Sequence, residues 1–517
     1  MKKILNLLQL TVCLLVSASA GAETYDKTFD PERRYSKLVI ESRLGDFYAN
    51  TKQKGLNVYD ANGKKTASSA GSLIFDYVPG LVAKAVIEAA DYYKKETWAK
   101  SYYYSIENYA NACFSSIPTT GGSLDDLNAT KMYFALYELS RNEFKGISAA
   151  ETAANAEIAM QKATEGLKAH NNKYAISSNI LKDAEGGWWH KKSYDNQMWL
   201  DGQYMGPALL AQLMNYGYGI SNSKEEDWEL ITKQFSITWN ILWDKEKKLL
   251  FHAFAALPTA STAACWADKA TMHNAEYWGR AEGWYFLALV DVLEEMQKAG
   301  LEGSEKYNTL KGYLNEIADG LTMYQDKETG CWYQLLAHDG SFYADRYQGR
   351  SYPKTYNYIE SSATAIFIAS YLKGMRLGLL SKDYTEVAQK AYRGFVENFI
   401  VDDGSGKGTV HLINCCRSAG LGGSANRDGS AAYYLLGSDV TRTTAAMGQT
   451  EGKVLGAFIL AATEYERAFI DKESASALHN VKHDMDNACD FAYNITGQRI
   501  NPDAHGLMVK NGKAYIK

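Results

Sequence analysis

Proline is scarce, with seven in 517 residues, and no Pro- or Ser-rich stretch divides the chain. A chain of this length suggests two or three domains, but without linkers one large domain plus a tail is the better expectation. Cysteine is scarce too. Beyond Cys13, the thiols at Cys113, Cys265, Cys331, Cys415, Cys416 and Cys489 form no CxxC pair and no Cys/His ligand spacing. That excludes a disulfide scaffold, and no zinc or other metal site and no cofactor fingerprint is read. Positive charge is in deficit, 55 Lys and Arg against 60 Asp and Glu for a net charge of −5. Phosphate backbones need clustered cations, so nucleic acid is not an expected partner. Past the opening residues, no apolar run reaches the roughly 18 residues a membrane helix requires, so membrane insertion is not expected either.

The opening stretch, "MKKILNLLQLTVCLLVSASA", has two lysines, an apolar centre and an Ala18-Ser19-Ala20 ending. It reads as a secretory signal over residues 1–20, with the mature chain starting near Gly21. Val12 occupies the position where a lipoprotein signal needs a small residue, which argues against lipidation of Cys13. Export is therefore expected, to the periplasm first, with the cell surface or the medium as alternatives.

Six apolar runs have helical length: "PGLVAKAVIEAADYYKK" from 79, "DLNATKMYFALYELSRN" from 126, "PALLAQLMNYGYG" from 207, "WYFLALVDVLEEMQKAG" from 284, "SATAIFIASYLKGMRLG" from 362 and "VLGAFILAATEYERAF" from 454. They are apolar almost all round, the mark of helices buried on most faces. More amphipathic stretches lie between them. The alternation predicts an all-α fold, an (α/α)6 barrel over residues 21–470, with an irregular helical domain or an open solenoid as the alternatives. Residues 471–517 read as a tail, a small β extension, because Asn511-Gly512 separates two strand-like runs. Its "GQRI" and "NGK" elements resemble short C-terminal tails of secreted proteins.

Chemistry-bearing residues cluster just before or at the starts of the inner helices. The stretch "GGWWHKKSYDNQMWLDGQYMG" holds His190, Lys191, Lys192, Tyr194, Trp199 and Asp201. Asp201 sits among apolar neighbours, so it is either a cap or paired carboxylate, or an acid whose pKa burial raises for proton donation. Pro207 either begins or kinks the next helix and leaves Asp201 at the barrel mouth. In "TTGGSLDDLNATK", one of Asp125 and Asp126 is expected to cap a helix, with Asp126 favoured for that part. In "EYWGRAEGWYFLALVDVLE", Arg280 and Trp284 are four apart and would share a helix face, suiting a sugar acid; a salt bridge beside a core tryptophan is the other reading. His252, Tyr77, "NYIESSATA", "RDGSAAYYLL" and Lys453 are weaker individual signals.

In order, from about residue 70 to 468, these motifs resemble the unsaturated rhamnogalacturonyl hydrolases, family 105 of the glycoside hydrolases, and the related unsaturated glucuronyl hydrolases of family 88. The likeness rests on "LDDLNATK", "WWHKKSYDNQMWLDGQYMG", the His252 segment, "WGRAEGWYFLALVDVLE", "CWYQLL" with "NYIESSATAIF", and "RDGSAAYYLL" with "KVLGAFILAATEYE". It implies an (α/α)6 barrel with Asp201 as general acid and base and Asp125 as the second catalytic aspartate. It further implies substrate contacts at Tyr77, His190, Lys191, Lys192, Tyr194, Trp199, His252, Arg280, Trp284 and Lys453. The implied partner is an unsaturated uronic-acid oligosaccharide, pectic in the first instance, with ulvan or glycosaminoglycan fragments, or an inactive glycan-binding role, as alternatives. Two departures fall near the mouth: "HAFAALPTASTAACWAD" is longer and less acidic than its family counterpart, and Ala281-Glu282 replaces Gly-Asn.

Overall fold

The structure is a computed structural model that describes residues 24–45, 55–68, 72–144, 148–423, 427–437 and 450–472, with the backbone of four short strands between 492 and 516. The expected signal segment and its cleavage point lie outside the described residues. The six inner stretches are helical, as Tyr77–Tyr92, Leu124–Asn128 continuing into Met132–Asn142, Leu200–Met205 with Pro207–Asn215, Gly279–Lys298, Ser361–Arg376 and Gly452–Tyr465. Outer helices alternate with them: Tyr35–Arg43, Ala99–Cys113, Ala149–Lys173, Lys224–Leu242, Glu305–Met323 and Thr385–Phe399. Each inner helix packs on the next, and Gly452–Tyr465 returns to Tyr77–Tyr92. That closure makes the expected (α/α)6 barrel rather than an open solenoid.

Closure depends on small residues. A Cβ on Gly456 would come within 2.7 Å of Leu81 Cγ, so only glycine lets the last inner helix approach the first this closely. Leu81, Val82, Val86 and Ile459 on these two helices are buried, each contributing about 1.5–3 kcal/mol through apolar area removed from water, and Phe458 stacks on Phe395 of the outer helix Thr385–Phe399.

Two inner helices are interrupted at their mouth ends. Residues Ala129–Lys131 form a 3-10 turn inside the second. In the third, Pro207 lacks the N–H that would continue the ladder, so a one-turn helix over Leu200–Met205 ends at Gly206 and a new helix starts at Pro207. Asp201 thus rides in the first turn of its own short helix.

The inner helices run in one direction, so their N-terminal ends gather at one mouth and their C-terminal ends at the opposite base. Among the described residues, no helix is long and apolar enough to cross a membrane. In the tail, Leu507–Lys510 and Lys513–Ile516 pair antiparallel with Lys510 opposite Lys513, inside a four-stranded sheet.

Candidate active site

Two short backbone pairings assemble the mouth. Gln197–Trp199 pairs antiparallel with Ala253–Ala255, placing Trp199 opposite Ala253, and Leu200 N–H donates to the His252 carbonyl at 3.0 Å. This sets Asp201 beside His252. Ser123 bridges to Lys191, Leu124 N–H donates to the His190 carbonyl, and Lys192 N–H donates to the Gly122 carbonyl. This sets Asp125 beside His190. One stretch, 188–201, therefore touches both aspartates.

His252 Nε2 lies 3.2 Å from Asp201 Oδ2, and neither atom has another polar partner among the described residues. Behind the imidazole, Nδ1 is 2.8 Å from the Tyr434 hydroxyl, to which the Asn274 side-chain amide also donates. With Tyr434 donating to Nδ1, the His252 proton sits on Nε2 and faces Asp201. Burial lowers the His252 pKa more than Asp201 raises it.

The carboxyl of Asp201 does not have the raised pKa expected from its apolar neighbours. Burial does push it up, but hydrogen bonding and charge from His252, with His190 beyond, more than offset burial and hold it below its ordinary value. Trp199, the neighbour most responsible for the expectation, stacks instead on His190 at 4.9 Å and Tyr194 at 4.7 Å between centroids, with its edge toward His252.

Asp125 is buried, with Lys191 Nζ at 2.5 Å and His190 Nε2 at 3.3 Å. Burial raises its pKa, but Lys191 and His190 overcome this and hold the carboxyl far below the usual carboxylate range. The helix cap is Ser123, whose hydroxyl accepts from Asp126 N–H; Asp126 is exposed and caps nothing, contrary to expectation. Serine wins because its side chain reaches the N3 amide from outside the first turn.

Arg280 is buried at the top of Gly279–Lys298, and its guanidinium donates to Ser362 Oγ at 3.1 Å and to the Cys416 carbonyl. It stacks over Trp278, 4.5 Å from the ring. The expected pairing with Trp284 is absent: Trp284 is 2% exposed and stacks on Tyr204 deeper along the axis. The helix begins at Gly279, so the residue just before it folds back over Arg280 while Trp284 points down the barrel. Trp284 is a core residue. Tyr77 starts its helix after the Asp76 cap and faces Lys453, whose ammonium is 5.8 Å from the ring. Lys453 pairs with Glu451 at 2.7 Å. Lys192 is exposed and lies against Gly122, away from both aspartates.

Several residues at this mouth went unpredicted. Glu360 caps Ser361–Arg376 by accepting from Ala363 N–H, accepts from Cys416 N–H at 2.7 Å, and lies 4.0 Å from Arg280. Its signal was the Glu-Ser-Ser start of an apolar helix. Tyr434 lies in the "RDGSAAYYLL" segment, itself only a weak signal, and Asn274 offered none, since it acts across a long sequence separation.

The longer loop after His252 is wired into the aromatic stack. Trp199 Nε1–H donates to Gln197 Oε1 at 3.2 Å, Gln197 Nε2–H to Thr262 Oγ1 at 3.1 Å, and Thr262 Oγ1–H to Asp195 Oδ1 at 2.8 Å. Asp195 is thus a loop anchor.

Residues 174–469 match the family described as Glycosyl Hydrolase Family 88. The chain belongs to glycosyl hydrolase family 88. This family 88 chain is similar to a Clostridium structure, the C. acetobutylicum glycoside hydrolase from family 105, at 26% identity over 84% of this chain and 99% of that one, with a TM-score of 0.62. It is 28% identical to an Agrobacterium fabrum protein over 225 residues, 42% of this chain and 85% of that one. It is 23% identical over 205 residues to the unsaturated rhamnogalacturonyl hydrolase of Bacillus subtilis, covering 40% of this chain and 47% of that one. The family 88 match makes it a glycoside hydrolase.

Proposed function

We propose that this hydrolase removes a 4,5-unsaturated uronic acid from the non-reducing end of lyase-generated oligosaccharides, with rhamnogalacturonan-type pectic fragments as substrate. The observation that carries the reading is Asp201 facing His252 with neither reactive atom otherwise partnered, next to a second, firmly ionised carboxylate at Asp125. The similarity to the B. subtilis rhamnogalacturonyl hydrolase supports the pectic assignment. The secretory character of residues 1–20 supports action outside the cytoplasm.

In this mechanism the protonated Asp201 gives its proton to C4 of the vinyl ether. Positive charge then develops at C5 and the ring oxygen, and the Asp125 carboxylate stabilises it. Water adds at C5 and returns a proton to Asp201. The C5 hemiketal opens by breaking its bond to the ring oxygen, leaving a C5 ketone and a C1 hemiacetal, which collapses to release the next sugar. Arg280, Lys453 and Tyr77 take the uronate carboxylate in this reading, the guanidinium by a two-pronged hydrogen bond. Because the free site holds Asp201 below its ordinary pKa, the donor proton is stabilised only once an anionic sugar has entered and displaced water.

The double bond absorbs in the ultraviolet, so incubation with unsaturated disaccharides should bleach the signal. Asp201→Asn should slow bleaching by about 10²- to 10⁴-fold, the usual weight of a general acid, with helical circular dichroism unchanged. Steady absorbance with the pectic, ulvan and glycosaminoglycan substrates alike would remove the proposal, and full turnover by the variant would assign the acid elsewhere.

A further inference from the structure

The mouth contains a cation that the proposed mechanism does not use. Arg427 is half-buried; among the described residues its Nε is shut from solvent without a partner, and its Nη2 reaches only the Tyr194 hydroxyl, at 3.4 Å. No acid among the described residues pairs with it. Its neighbour Asp428 is occupied by Ser430 and by the Gln348 amide. A guanidinium taken partly out of water without a counterion is costly, so its place calls for an anion from outside.

The surroundings hold this arginine in position. Gly420 leaves room for it: a Cβ there would collide with the guanidinium and lie 3.5 Å from Trp199 Cη2. Gly422 N–H donates to the Arg427 carbonyl at 3.0 Å, and the Cys265 thiol lies 3.8 Å from the same oxygen. Cys265 belongs to the longer loop that Thr262 ties to Trp199 through Gln197. Arg427, half-buried beside Tyr194 and Trp199, is thus nearer solvent than Arg280 and Lys453, which are buried at the inner helix tops.

We infer that Arg427 binds an anionic group, a sulfate ester or a carboxylate, on the sugar that leaves when the unsaturated uronate is removed. This rests on the unsaturated-uronide reading above but not on its rhamnogalacturonan form, since the rhamnose that follows there carries neither a sulfate nor a carboxylate. In an enzyme that works from the chain end, the unsaturated ring occupies the deepest position and the leaving sugar the side toward solvent. Arg427, beside the stack and toward solvent, meets the leaving sugar. A planar guanidinium with free N–H groups matches the paired oxygens of either anion.

The experiment compares three unsaturated disaccharides whose second sugar is neutral, sulfated or carboxylated, using ultraviolet bleaching by wild type, Arg427→Gln and Arg427→Lys. Wild type should favour at least one anionic substrate over the neutral one, and added salt should weaken that preference. Arg427→Gln should lose about ten- to a hundred-fold in relative kcat/KM for that substrate against the neutral one, the range of a charge-assisted hydrogen bond. Arg427→Lys, which keeps the charge without the fork, should retain part of the preference and shows that the site folds. The preferred anion identifies the source. A wild type that bleaches all three equally, or an Arg427→Gln that slows all three by the same factor, overturns the inference while leaving the hydrolase reading intact. Bleaching of none by wild type overturns both.

Discussion

The two ends of the barrel handle buried charge in opposite ways. At the base, around a cavity of about 770 Å³, three cations are paired with acids: Lys84 with Glu88 at 2.7 Å, Lys373 with Asp291 at 2.6 Å and Glu294 at 2.7 Å, and Arg376 with Glu464 at 2.7 Å. At the mouth, Asp201 Oδ2, His252 Nε2, His190 Nδ1 and Arg427 Nε lack a well-formed hydrogen bond. Helix direction explains part of the difference. The inner helices present their C-terminal ends to the base, where partial negative charge favours Lys and Arg, and their N-terminal ends to the mouth, where partial positive charge favours an anion. The base thus pairs its main cations with its own acids, and the mouth leaves the reactive atoms of Asp201 and His252 open to a ligand.

Breaking the base should cost stability more than activity. Lys373→Met leaves Asp291 and Glu294 buried without their main cation, so a loss of about 3–5 kcal/mol is expected in urea unfolding, with kcat per folded molecule little altered. A variant as stable as wild type would mean that the base network does not hold the barrel.

At the mouth, the smaller effect is on pH dependence. Asp201 must be protonated to act, so activity falls as pH rises through its pKa. His252→Gln removes the ring that depresses that pKa. The falling limb of kcat/KM against pH should therefore move to higher pH, and a limb that stays in place or moves down would break the link between the two residues.

The smallest expected change is at Ser123. Replacing it with alanine removes the cap of Leu124–Asn128 and should cost about 1 kcal/mol of stability. Because the same helix carries Asp125, KM should rise as well; a purely thermal effect would confine Ser123 to a structural role.

The barrel was legible because the inner helices are apolar on nearly every face, a pattern that survives without knowledge of partners. Asp125 and Asp201 were legible through their motifs. Their electrostatics were not. The depressed pKa of Asp201 comes from His252, which reaches it only through the pairing of Trp199 with Ala253. The Arg280–Trp284 expectation treated four-residue spacing as a shared working face. It failed because the helix starts between Trp278 and Arg280, so the ring that covers the guanidinium precedes the helix and Trp284 enters the core. Lys192 was implied by the resemblance over His190–Tyr194, yet it lies in the turn that follows the Ser123–Lys191 bridge and is exposed.

The tie from Trp199 through Gln197 and Thr262 to Asp195 also bears on how this mouth is able to diversify. A loop joined to the stack only at its ends is an exchangeable module. Here an exchange that omitted Thr262 would strand Gln197 and Asp195, so loop length, Gln197 and Asp195 should be inherited, or engineered, as one unit.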